Sequence, residues 1–138
     1  MARYRISGSP DELAEIDAAL KQVIEPGAFW LTPDERMAAR LGLHELIVNV
    51  TRHAYLDCEG AIYVEVYVTP DAVAINVVDD GAPWAASLNR GLPAPLATSG
   101  YGIPIILAAY DDARYCRSAK RNHWSLRLYR SRRDAVRA

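Results

Sequence analysis

Apolar and polar residues alternate twice in the middle of the chain. Ile62, Val64, Val66 and Val68 share one parity, and Val73, Ile75 and Val77 share another. Period two is the spacing of a strand with one buried face, so 61–69 and 71–79 are predicted strands. Pro70 and Asp71 form the turn between them, which makes the pair a hairpin. A second pattern precedes them. Leu43, Leu46, Ile47, Val50 and Ala54 fall on one side of a helical wheel. That helix starts at Thr32-Pro33-Asp34-Glu35, with Thr32 as N-cap and Glu35 three residues on. It is expected to run from Pro33 to about Leu56. Ser9-Pro10-Asp11-Glu12 repeats the start signal, and Pro26-Gly27 closes the helix that follows at about Glu25. A short strand is predicted at 3–8. A short helix is predicted at 103–110, with Pro104 in its first turn, and closing strands at 113–117 and 123–130. Residues 80–101 have no period and are rich in Gly, Pro, Ala and Ser, which predicts a long loop of the kind that is functional or mobile. The order predicts an α+β two-layer sandwich, with helices on one face of a mixed, mostly antiparallel sheet.

Composition narrows the class. A chain of 138 residues supports one core, so 1–138 is expected to be one domain. Sixteen basic and seventeen acidic residues leave a formal net charge of −1, so no general attraction to nucleic acid or an anionic membrane follows. The basic residues Arg127, Arg130, Arg132, Arg133 and Arg137 cluster at the C-terminus. They read as a solvated tail over 130–138 or as a docking surface for an acidic partner. No apolar run reaches the ~20 residues of a membrane span. Residues 1–10 lack the apolar core of a signal peptide. Cys58 and Cys116 have no metal-like spacing and read as thiols of a reducing compartment. The expected location is the cytoplasm.

Three places carry candidate chemistry. Glu45 and Asn49 are four residues apart on the long helix, away from the apolar stripe, so their side chains lie within roughly 6 Å. They form either a solvated face or a carboxylate and an amide turned to a ligand. Asn supplies an oxygen that suits Mg²⁺, and Glu can act as a general base. Asp79 is in phase with Val73, Ile75 and Val77, so a buried carboxylate with a partner is one reading. A turn begun by Asp79-Asp80-Gly81 is the other. Gly100 and Gly102 close the loop and open the last predicted helix, where backbone N–H groups can approach phosphate oxygens.

Taken together, these places resemble the GHKL ATPases. The run Glu45 to Tyr55 (ELIVNVTRHAY) is similar to their N-box, in the form found in bacterial anti-sigma factor serine kinases. Asp79 to Trp84 (DDGAPW) resembles their first glycine box, and Gly100 to Ile103 (GYGI) their second. The resemblance covers roughly residues 5–130 and implies a Bergerat-type fold that binds ATP with Mg²⁺. By position, it implies that Glu45 orients or deprotonates the attacking hydroxyl and that Asn49 coordinates Mg²⁺. Asp79 would bind the adenine amine, Gly81 would let the base approach, and Gly100 and Gly102 would hold phosphates. It implies transfer of the γ-phosphate to a serine of a STAS-domain anti-anti-sigma protein, binding of a sigma factor, and a homodimer. A switch-type kinase without sigma binding and a nucleotide-binding adaptor are the alternatives. The chain departs from the family pattern at Ala85, where Asp is common, and at Pro104. Its short lid holds a single charged residue, Arg90. His53 reads as a hydrogen-bonded structural histidine and Trp84 as a hydrophobic wall. Ser125 is out of phase with Trp124, Leu126 and Leu128 and receives no role.

Overall fold

The computed structural model describes residues 2–6, 10–54, 62–81, 94–95 and 103–137. In chain order the elements are β1 (Ala2–Ile6), α1 (Pro10–Gly27), α2 (Pro33–Ala54), β2 (Ile62–Val68) and β3 (Ala72–Asp79). They continue with β4 (Ala94–Pro95), α3 (Ile103–Ala109), β5 (Asp112–Ser118), β6 (Arg121–Tyr129) and α4 (Arg130–Arg137). The strands lie in the order β1-β2-β3-β6-β5-β4. Every described pairing is antiparallel.

Alternation explains the layers. Along β3 the burial alternates strictly, and Val73, Ile75, Val77 and Asp79 are all on the buried face. Ile62, Val64 and Val66 join them from β2, and Trp124, Leu126 and Leu128 from β6. The stripe of α2 covers this face with Leu43, Leu46, Ile47 and Val50, while α1 adds Ile16, Leu20 and Ile24. No helix among the described residues is long and apolar enough to cross a membrane.

Helix ends follow local chemistry. The Thr32 N–H donates to Glu35 Oε1 at 2.9 Å, and the Glu35 N–H donates to Thr32 Oγ1 at 3.1 Å. This is the reciprocal capping box that the sequence predicts. Helix α1 runs through Pro26 to Gly27, two residues beyond the predicted stop. There the Ala28 N–H still reaches the Ile24 carbonyl at 2.9 Å. A Cβ on Gly27 would sit 2.5 Å from Val68 Cγ1, so glycine lets the helix end rest on β2. Gly42 has the same use in mid-helix, where a Cβ would meet Ala109 Cβ and Tyr110 Cε2, both at 3.0 Å. The Tyr110 hydroxyl donates to the Ala39 carbonyl beside this contact and ties α2 to the end of α3.

The C-terminal basic segment is helical and largely exposed. Residues 130–137 form α4, and its Arg133 is half-buried. Its Nε donates to Glu35 Oε2 at 2.7 Å, and its Nη1 donates to Asp111. Arg130 lies over the Phe29 ring, and Arg127 donates to Asn76 Oδ1 at 2.9 Å. These arginines join distant elements, because a guanidinium can serve several acceptors at once. Burial alone raises the Glu35 carboxyl. The Thr32 N–H and the Arg133 guanidinium outweigh it and hold Glu35 below its ordinary value. A depressed carboxylate contributes stability that is full above its ordinary pKa and is lost as pH falls through the folded one. Glu35→Gln is therefore expected to lower the melting temperature at neutral pH. The gap to wild type should close in acid, below the depressed pKa. Melting curves across pH check this.

The β5–β6 turn is strained. Ala119 and Lys120 have φ of 53° and 62°, both left-handed. Two such residues make the two-residue hairpin turn that fits strand twist, but neither is Gly or Asn. The left-handed conformation costs roughly 1–2 kcal/mol for a residue with a Cβ. Lys120→Gly is expected to stabilise the protein by up to about 1 kcal/mol net of unfolded-chain entropy, read by urea unfolding.

Candidate functional site

The strained turn fixes a row of residues across the sheet. Ile62 pairs with Asp79, Asp79 with Asn122, and Asn122 with Arg117. Asp79 ends β3 on its buried face and is only 1% exposed. A buried carboxylate needs donors, and three converge on it. Oδ1 accepts from Asn122 Nδ2 at 2.8 Å and from the Gly81 N–H at 3.0 Å. Oδ2 accepts from Trp124 Nε1 at 3.1 Å. The two readings of Asp79 thus hold together: it is buried in phase with the strand, and it also turns the chain at Gly81.

Another layer of contacts surrounds these donors. The Tyr115 hydroxyl and Arg117 Nη1 both donate to Asn122 Oδ1, at 2.6 Å and 3.0 Å. Arg117 Nη1 also donates to the Gly81 carbonyl at 2.7 Å. The Tyr115 ring packs on Trp124 with centroids 4.6 Å apart. A carboxylate has about four acceptor directions, so among the described residues one remains on Oδ2 of Asp79. That is the chemistry a ligand amine needs.

Helix α2 brings the second part. Glu45 is half-buried, whereas Asn49, one turn on, is 3% exposed. A solvated face is therefore excluded for Asn49. Its Nδ2 is buried and has no hydrogen-bond partner among the described residues. Such an orphan costs about 1–3 kcal/mol, which a bound ligand can relieve. Rotation about the Cβ–Cγ bond exchanges the amide atoms, so the same position can present an oxygen to a cation. An orphaned amide and an open carboxylate acceptor both fit a magnesium nucleotide.

The Gly81 N–H donates to Asp79, and its carbonyl accepts from Arg117. Gly100, Gly102, Arg90, Trp84 and Cys58 lie outside the described residues, as does the side chain of His53. Ser125 is on the opposite face of β6 from Trp124 and Leu126, as its parity predicts. Sequence reasoning missed Asn122, Trp124, Tyr115 and Arg117 as site residues. A signal for one was present: Asn122 shares the parity of Trp124, Leu126 and Leu128, so it is an amide on a buried face.

Residues 6–128 match the family described as the histidine kinase-like ATPase domain. No curated protein matches the sequence. The fold is similar to a crystal structure of the RsbU and RsbW domains of Rv1364c from Mycobacterium tuberculosis, with TM-score 0.59 and 13% identity. That match covers 94% of this chain and 32% of the other, so this chain spans about a third of that protein's length.

Proposed function

Since the chain belongs to the histidine kinase-like ATPase family, we propose that it is a serine kinase that uses ATP with Mg²⁺. Its substrate is a serine of a STAS-domain anti-anti-sigma protein, and it acts in the cytoplasm to control release of a sigma factor. The observation that carries the nucleotide site is Asn49, one turn from Glu45, whose buried amide nitrogen has no partner among the described residues. The kinase class draws support from the three sequence boxes and from the likeness to a structure that contains an RsbW domain.

Each residue has a role in this reading. Asp79 accepts the adenine amine on its open Oδ2 site. Gly81 bends the chain there and leaves room for the base. Asn49 holds Mg²⁺. When bound, the ion neutralises phosphate charge, which is most of what phosphoryl transfer asks of a site. Glu45 orients the serine hydroxyl and takes its proton. Gly100 and Gly102 offer backbone N–H groups to phosphate oxygens. The partner contributes the serine, so binding and alignment of the two proteins supply much of the rate.

The test is direct. STAS-domain proteins from the same genome are incubated with this protein and MgATP, and phosphoserine is read by mass spectrometry. One partner is expected to be modified at a single serine. If none is modified, the kinase reading fails. Nucleotide binding without transfer would then favour an adaptor.

A further inference from the structure

Asp79 reads the base in the function proposed above, yet an isolated aspartate rotamer does not decide which oxygen stays open. The residues behind it do. Asn122 faces Asp79 directly across the β3–β6 pair, and Arg117 faces Asn122 across β5–β6. An Asn amide could turn either atom toward Asp79. Two donors remove that choice, because the Tyr115 hydroxyl at 2.6 Å and Arg117 Nη1 at 3.0 Å both take Asn122 Oδ1. With its carbonyl held, Asn122 must present Nδ2, which donates to Asp79 Oδ1 at 2.8 Å. The Gly81 N–H takes the same oxygen, and Arg117 also holds the Gly81 carbonyl at 2.7 Å. One guanidinium thus fixes both the amide and the turn. Oδ1 is filled, and the open acceptor is left on Oδ2 beside Trp124.

We infer that Asn122, held by Tyr115 and Arg117, is a positioning residue that fixes Asp79 as an acceptor and so selects 6-amino over 6-oxo purine nucleotides, an assignment that rests on the ATP reading above. The chemistry is one of matching. Adenine offers an N–H at position 6, whereas hypoxanthine offers a carbonyl. A fixed acceptor binds the first and repels the second. If Asp79 could turn or be paired differently, the difference would shrink. Sites built around a required hydrogen bond discriminate strongly, because the wrong ligand leaves a buried group unpaired.

Asn122→Asp tests this with almost no change of shape. The new side chain keeps an acceptor for Tyr115 and Arg117 but turns an oxygen, not an N–H, toward Asp79. Affinities for ATP and inosine triphosphate are measured by calorimetry on wild type and variant. Wild type is expected to prefer ATP. In the variant, ATP affinity should fall about tenfold or more, the scale of one hydrogen bond to a charged group. Inosine triphosphate should change far less, so the ratio collapses. Tyr115→Phe keeps the ring on Trp124 and removes one of the two donors, so a smaller loss of ratio is expected. It also decides the matter if Asn122→Asp fails to fold. A purely structural role would lower the melting temperature and weaken both nucleotides alike. Wild-type ratios retained in both variants, or in Tyr115→Phe alone if Asn122→Asp fails to fold, overturn this assignment and leave the ATP site standing. Wild-type protein that binds neither nucleotide overturns the ATP reading and this assignment with it.

Discussion

Glu45→Ala is expected to keep ATP affinity within a few-fold of wild type and to slow phosphoryl transfer by ~10²-fold or more, the scale of a lost general base. The two effects separate because of where Glu45 stands. It is half-buried on α2, beside the stripe that packs on the sheet and outside the core. Alanine is the best helix former, so the helix itself should not suffer. Asn49 and Asp79 stay in place, and the nucleotide keeps its anchors. The attacking hydroxyl loses the group that orients it and removes its proton. Single-turnover transfer measured at saturating ATP reads the chemical step alone. Glu45→Gln keeps the shape and should be slow as well. Equal loss of nucleotide binding and transfer in both variants would mean that Glu45 anchors the nucleotide instead.

Asp79→Asn has the second large effect, and it acts twice. An asparagine offers one oxygen and one N–H₂ where three donors converge. Turned one way, its N–H₂ faces Trp124 Nε1. Turned the other, it faces the N–H groups of both Asn122 and Gly81. Each buried clash of donors costs about 1–3 kcal/mol, so the melting temperature should fall by several degrees. The orientation that faces Trp124 sets only one pair of donors against each other, and it should win. It also points an N–H at the place of the adenine amine. ATP affinity should therefore fall more than tenfold even at temperatures where the variant is fully folded. Circular dichroism fixes that temperature range and calorimetry reads the affinity. A folded variant that binds ATP as wild type does would remove Asp79 from the base site.

The hairpin and the long helix were legible because period and caps agree there. Val73, Ile75 and Val77 set the parity that buries Asp79. Thr32 and Glu35 mark the start of α2 by the bonds they go on to make. The other half of the Asp79 site was less legible. Ala119 and Lys120 form a left-handed turn without the usual Gly or Asn, so β6 is expected to begin at His123, and Asn122 falls outside it. Tyr115 and Arg117 join the site through pairing register, and no local pattern carries that. Helix α4 was hidden for another reason. Its sequence is basic and lacks an apolar stripe, and what secures it is Arg133 reaching Glu35, 98 residues away. The two-residue strand β4 is too short to have a period at all.

The central claim is a site for ATP with Mg²⁺ built on Asn49 and Asp79. Calorimetric titration of the wild-type protein with ATP, with and without Mg²⁺, tests it most directly. The account predicts saturable binding to one site that tightens when Mg²⁺ is present. No heat of binding at millimolar ATP, with or without the ion, would contradict it.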